Sequence, residues 1–227
     1  MRRASLLLAL TVVAVSLCAP LIWARMLRII AESCMDPAAA FVANEIFFWD
    51  LGLAVLSVVH YVEGENLAGL GFHRVSSRQA ALGAAVAAGM CLTTALLWDV
   101  ETRILHLASR TMADVTTVAQ WPLWTRLITS LRAGFVEEVV FRAYPITRSD
   151  RILGCRWPGA LAGLVVFSLS HIPYAGAAHA LGVVLPLGAM LTLLFLWQRN
   201  LTLNIGVHCL CDVLVSSGLP LLIAGGQ

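Results

Sequence analysis

Two adjacent glutamates and an arginine interrupt the apolar run FVEEVVFRAYP, Phe135 to Pro145. On a helix, Glu138 and Arg142 stand four residues apart on one face, with the acid N-terminal to the base, the favourable order for pairing. Glu137 is rotated by about 100° from Glu138 and does not share that pairing equally. One carboxylate therefore reads as neutralised and the other as available. Two later segments carry further ionisable groups. FSLSH puts Phe167 and His171 at i, i+4, and NIGVHCLCD puts Asn204, His208 and Asp212 on one stripe. A glutamate, two histidines and an aspartate converging in a bundle have the parts of a water-activating hydrolase: a general base, a proton carrier and donors for a developing oxyanion. They equally suit a two-histidine, one-carboxylate zinc site with an open position.

The elements that must position these groups are membrane helices. A mean hydropathy of +0.85 with 12% charged residues implies an all-α, polytopic transmembrane bundle. Runs long enough to cross a bilayer lie near 5–24, 38–60, 79–99, 121–147, 157–174, 177–198 and 201–224, about seven spans. They use up the 227 residues, so one integral-membrane domain is expected over 1–227, with its motif-bearing core at about 120–215. Six tryptophans mark span ends, as interfacial belts do; Trp49 is the exception, and Glu45 and Asp50 interrupt the second run. With the N-terminus cytoplasmic, the inside connections hold eight arginines (2, 3, 74, 78, 148, 151, 156, 199) and the outside ones four (25, 28, 103, 110). That asymmetry predicts N-terminus in and C-terminus out. The basic N-terminus and its long apolar run read as an uncleaved first span rather than a signal peptide.

The net charge of +2 carries no nucleic-acid signal, and no Gly-Lys-Ser/Thr pattern points to a nucleotide. Cys18, Cys91, Cys209 and Cys211 fall within apolar runs and Cys34 and Cys155 in connections, a pattern of structural thiols and not of a disulfide framework. No role is assigned to His60, Glu63, His73, His106 or His179.

Plain structural readings exist for each motif: an ion pair, an interhelical histidine, hydrogen-bonding glue. Burying a charge at the centre of a membrane helix costs about 2.5–3.5 kcal/mol. Interhelical hydrogen bonds return only about 0.6–2 kcal/mol each. Several buried ionisable groups are better explained by a site. A proton-coupled transporter would also place them there, but no inverted repeat is visible. A non-catalytic immunity or scaffold protein is the other alternative. Straight spans raise a geometric problem. Counting from Trp121 and Trp157 puts Glu137 about 24 Å from the outer boundary and His171 about 21 Å from the inner one. In a core of about 30 Å these side chains differ in depth by roughly 15 Å. Arg126 and Arg132 suggest that the fourth run begins later, along the interface, and Pro145 and Pro158 could reposition helices.

At these motifs the chain resembles the CPBP family of intramembrane proteases, which includes the Rce1-type CAAX prenyl endopeptidases. The family's Glu-Glu-x-x-x-Arg, Phe-x-x-x-His and His-x-x-x-Asn/Asp patterns correspond, in order, to EEVVFR (137–142), FSLSH (167–171) and HCLCD (208–212). The resemblance covers about 120–215. It implies an endopeptidase in which Glu137 and His171 activate water, His208 and Asp212 stabilise the oxyanion, and Glu138 with Arg142 orients the site. Asp212 stands where an asparagine would donate a hydrogen bond, so it is expected to act through His208, fixing its tautomer. No cofactor is implied as obligatory. Zinc on Glu137, His171 and His208 is the alternative. The resemblance and the lysine-free composition point to a bacterial inner membrane and a membrane-embedded or lipidated protein substrate, trimmed near its C-terminus.

Overall fold

The computed structural model describes residues 3–33, 37–106 and 121–224; Cys34 and Arg110 lie outside them. Among the described residues every regular element is helical. The main helices are α1 (Arg3–Ser33), α2 (Pro37–Ser57), α3 (Ser77–Asp99), α4 (Leu123–Arg132), α5 (Tyr144–Leu153), α6 (Trp157–Ser170), α7 (Leu185–Gln198) and α8 (Leu201–Ala224). Single π turns extend α2 (Val58–Val62) and α3 (Val100–Ile104) and lead into α7 (Ala180–Val184). Four stretches are long and apolar enough to cross a membrane: Ala9–Met26, Ala39–Val62, Ser77–Ile104 and Ala177–Gln198. Trp157–Ser170 and Leu201–Ser216 are apolar but shorter. The protein is a helical membrane bundle.

The 121–147 stretch is not built like the other runs. Its first helix, α4, exposes Leu123, Trp124, Leu127, Ile128 and Leu131, while Ser130 and Arg132 are buried. This apolar-out, polar-in stripe is the inverse of a soluble amphipathic helix and suits a lipid-facing surface. From Ala133 the helix widens into two π segments, Ala133–Glu137 and Val139–Ala143, before α5. Every residue from 136 to 149 is buried. The motif helix is therefore enclosed by protein, not by lipid. Depth counted along a straight span from the lipid boundary does not apply to it, because each π turn closes i→i+5 and shifts the register of the residues beyond it.

Close backbone contacts hold this central helix. Gly159 and Gly163, four apart on α6, face the carbonyl oxygens of Pro145 and Phe141, which a side-chain carbon at either position would strike. This is the small-xxx-small packing that lets membrane helices approach closely. On the other side, a carbon at Gly134 would lie 2.9 Å from the Cys209 nitrogen and 3.1 Å from the Ile205 oxygen of α8. The third wall is α2: Trp49 stacks on Phe135 with centroids 5.8 Å apart, and Gly52 faces Val136. Trp49 is thus an internal packing residue, which explains why it lies away from the span ends. α1 joins the same core through Leu17 and hydrogen-bonds α2 from Trp23 Nε1 to Asn44 Oδ1 at 3.2 Å.

Charged connections gather at one end of the bundle. Arg148 pairs with Glu63, Arg151 with Glu65, and Asp150 with Arg156 at 2.8 Å and Arg199 at 3.7 Å. Glu63 also accepts the Tyr144 hydroxyl at 3.0 Å. These residues come from three connections that arginine counting assigns to one side. At the other end His179 Nδ1 lies 2.9 Å from Glu101 Oε2.

Adding one methyl group at Gly163 forces α6 away from the motif helix. Gly163→Ala is expected to destabilise the bundle by about 1–3 kcal/mol, read as a lower midpoint of thermal unfolding in detergent. Gly182→Ala, where nothing lies within 4 Å of the added carbon, is expected to unfold like the parent protein.

Candidate active site

Glu138 is the most enclosed of the acids, with no side-chain exposure. Its Oε1 accepts from Arg142 Nη1 at 3.0 Å and faces His208 Nδ1 at 2.8 Å. Its Oε2 accepts from Asn204 Nδ2 at 2.7 Å. Asn204 Nδ2 also donates to the Leu191 carbonyl at 3.0 Å, which ties α8 to α7 at this point. Arg142 lies over the Phe167 ring, 4.0 Å from its centroid, and its Nη2 reaches the Gly188 carbonyl at 3.4 Å. One carboxylate thus joins the motif helix to α8, and its arginine partner joins α6 and α7. Pairing at full burial is what makes such charges tolerable.

Glu137 is also paired, which corrects the expectation of an available carboxylate. Its Oε1 accepts from Arg132 Nη1 at 3.0 Å. On a regular α-helix, residues five apart point about 140° away from each other. The π segment Ala133–Glu137 closes i→i+5, which brings Arg132 and Glu137 onto one side. Arg132 Nε in turn donates to Glu45 Oε1 of α2 at 3.1 Å, and the guanidinium lies 4.6 Å from the Phe48 ring centroid. Reading by α-helical period could not find this trio. Its signals were the acid that spoils the second run and an arginine taken only as a boundary mark.

His171 stands at the C-terminal end of α6, half-buried. Its Nδ1 lies 2.7 Å from the Phe167 carbonyl, which can only accept, so Nδ1 carries the proton and the lone pair of the neutral ring is on Nε2. The Phe167 ring touches both histidines, tilted against His171 with centroids 4.7 Å apart and edge-on to His208 at 6.4 Å. The charge of Glu137 acts on both imidazoles, and that of His208 on His171. Glu137, His171 and His208 therefore share one electrostatic neighbourhood, supplied by three separate helical segments.

Asp212 is arranged differently from expectation. Its Oδ2 lies 3.7 Å from His208 Nε2, ion-pair range but not a hydrogen bond, and its side chain is 36% exposed. The tautomer of His208 is set by Glu138 at Nδ1, not by Asp212. The exposure of Asp212 marks the open side of the site. Among the described residues no group of three His, Cys, Asp or Glu side chains is arranged to hold a metal ion. Arg132 engages Glu137 Oε1, Glu138 faces His208 Nδ1 and the Phe167 carbonyl faces His171 Nδ1, so Glu137 Oε2 and the two Nε2 atoms are the groups that would hold a zinc ion.

The fold and site define a class: a helical membrane protein with a buried carboxylate–imidazole centre. Residues 119–214 match the family model of type II CAAX prenyl endopeptidase Rce1-like proteins. The motif-bearing region is thus similar to the CAAX-type endopeptidases. No curated protein and no solved structure matches the chain significantly.

Removing one member of the Glu138–Arg142 pair leaves the other charged and buried. Arg142→Met is expected to cost about 3–5 kcal/mol of stability, measured by equilibrium unfolding in detergent. Adding Glu138→Gln to it is expected to recover part of that loss, because no buried charge is then orphaned.

Proposed function

We propose that this protein is an intramembrane endopeptidase that hydrolyses a peptide bond near the C-terminus of a membrane-anchored or lipid-modified protein, using water activated by Glu137 and His171. The observation that carries this reading is that His171 and His208 both lie against Phe167 and both feel the charge of Glu137, with His208 bonded to the fully buried Glu138. A purely structural ion pair would not need two imidazoles beside it.

Water donates one hydrogen bond to Glu137 and one to Nε2 of His171. Arg132 occupies Oε1 of Glu137, so Oε2 takes the proton as the water oxygen attacks the scissile carbonyl carbon. The carbonyl oxygen becomes an oxyanion beside His208 Nε2. Glu138 and Asp212 flank the two nitrogens of that ring, and two carboxylates on one imidazole favour the cation that can donate to an oxyanion. When the tetrahedral intermediate collapses, the C–N bond breaks and the departing amine takes the proton from Glu137. Glu138 and Arg142 touch no reacting atom; they hold His208 in place. The substrate approaches from the Asp212 side, the exposed edge of the centre. The N-terminus is cytoplasmic in a bacterial inner membrane, on the arginine asymmetry and the common end shared by Glu63, Arg148, Arg151 and Arg199.

Purified protein in detergent or proteoliposomes is expected to shorten membrane-anchored peptides with a C-terminal tail, followed by mass spectrometry. Glu137→Gln and His171→Ala are expected to lower kcat by roughly 10²–10⁴-fold without loss of folded protein. Unchanged turnover in both variants would refute the mechanism. Loss of activity with a chelator and its return with zinc would replace the activated-water route by a metal-dependent one.

A further inference from the structure

Among the described residues, the ion pairs at the charged end of the bundle involve four arginines and three acids, which do not match one to one. Glu63 pairs with Arg148 and Glu65 with Arg151, whereas Asp150 alone faces both Arg156 and Arg199. Both guanidinium groups address the same oxygen, Oδ2: Arg156 Nε at 2.8 Å, and Arg199 Nη2 at 3.7 Å, beyond hydrogen-bonding distance. Arg199 Nη1 is buried with no hydrogen-bond partner among the described residues. Burial, and then the charge of Arg156, hold the pKa of Arg199 below its usual value, and Asp150 offsets only part of this. Exposed Arg74, whose carbonyl accepts from Asn200, adds charge of the same sign nearby. Arg199 also closes α7 in the left-handed region, with φ 52°. Glycine or asparagine is favoured there, and a larger side chain is strained. A helix cap has no need of an arginine at that position; an anion site does.

We infer that Arg156 and Arg199 form a site for the phosphodiester headgroup of one anionic phospholipid. The surroundings suit a lipid. Trp157 directly follows Arg156, Trp197 stands two residues before Arg199, and both rings are exposed, as is Leu153. Exposed tryptophans at the ends of membrane helices lie at headgroup level, so the two guanidinium groups stand at the height of lipid phosphates. The N-terminal end of α6 lies here without a side-chain cap, and its dipole adds partial positive charge. Guanidinium forks match phosphate oxygens in shape and charge, and a headgroup oxygen would give Arg199 Nη1 the acceptor it lacks. Two arginines on one aspartate leave a single positive charge, equal and opposite to a phosphodiester. A zwitterionic lipid brings its own cation and fits less well. Because Asp150 belongs to α5, Arg156 precedes α6 and Arg199 follows α7, a bound headgroup ties three helix ends together. The site is independent of the protease reading.

The test uses full-length protein in a neutral detergent. Phosphatidylglycerol or phosphatidylcholine with the same acyl chains is added, and native mass spectrometry reads how much lipid stays bound. One phosphatidylglycerol per chain is expected to be retained at concentrations where phosphatidylcholine is not. Arg156→Gln and Arg199→Gln are each expected to weaken that binding about tenfold. Arg103→Gln, on an exposed arginine at the other end, is expected to leave it unchanged. Thermal unfolding supplies a second readout. Phosphatidylglycerol is expected to raise the midpoint of the parent by about 2–4 °C. Arg199→Gly relieves the left-handed strain, so it is expected to fold in lipid-free detergent and to show no such rise. Inorganic phosphate at the same concentration is expected to give no rise in the parent. Equal retention of the two lipids, or undiminished phosphatidylglycerol binding in both glutamine variants, would overturn the inference. A rise with inorganic phosphate as large as with phosphatidylglycerol would replace the lipid by a soluble anion and overturn it as well.

Discussion

The structure depends on a single buried carboxylate. Glu138 accepts hydrogen bonds from Arg142, His208 and Asn204, so one charge fixes residues of the motif helix and α8 in a common register. Arg142 extends that register to α6 through Phe167 and to α7 through Gly188. Burial makes the arrangement stringent. In a low-dielectric interior each bond is strong, but any missing partner leaves a charge that nothing solvates. The helices have few ways to pack that satisfy Glu138, and those ways also bring the two imidazoles together.

Lipid cannot provide such an environment, and the bundle does not ask it to. The segment that carries Glu137, Glu138 and Arg142 runs through the middle of the protein, and the apolar helices around it meet the bilayer. Glycines on α6 and at position 134 remove the side chains that would otherwise hold the neighbours off. The two π segments then adjust which side chains face which wall. Through them Arg132 comes beside Glu137, and a second cation–carboxylate system forms next to the first.

The two systems differ in a way that matters for chemistry. Glu138 is closed on every side, which suits a group that holds other residues. Glu137 keeps one oxygen engaged with Arg132, and its charge acts on two imidazoles, which suits a group that exchanges protons. Adjacent glutamates of identical intrinsic chemistry are set apart by what the surrounding helices bring to them.

Much of this was written in the linear sequence. The all-helical membrane class follows from composition, because backbone groups in a bilayer must be satisfied within each segment. The pairing of Glu138 with Arg142 follows from i, i+4 spacing, and the shared face of Asn204 and His208 from the same period. The sequence also singled out Glu45 and Trp49 as misfits in the second run, without saying what they meet. Tertiary structure alone decided the rest. It paired Glu137 with Arg132 through a π turn that no α-helical wheel contains, and set Asp212 beyond hydrogen-bonding distance of His208. It also brought Glu45 from a helix nearly ninety residues away. Spacing along a helix reports only which residues share a face of that helix. Which faces meet, and at what height, is fixed by packing between segments far apart in the chain.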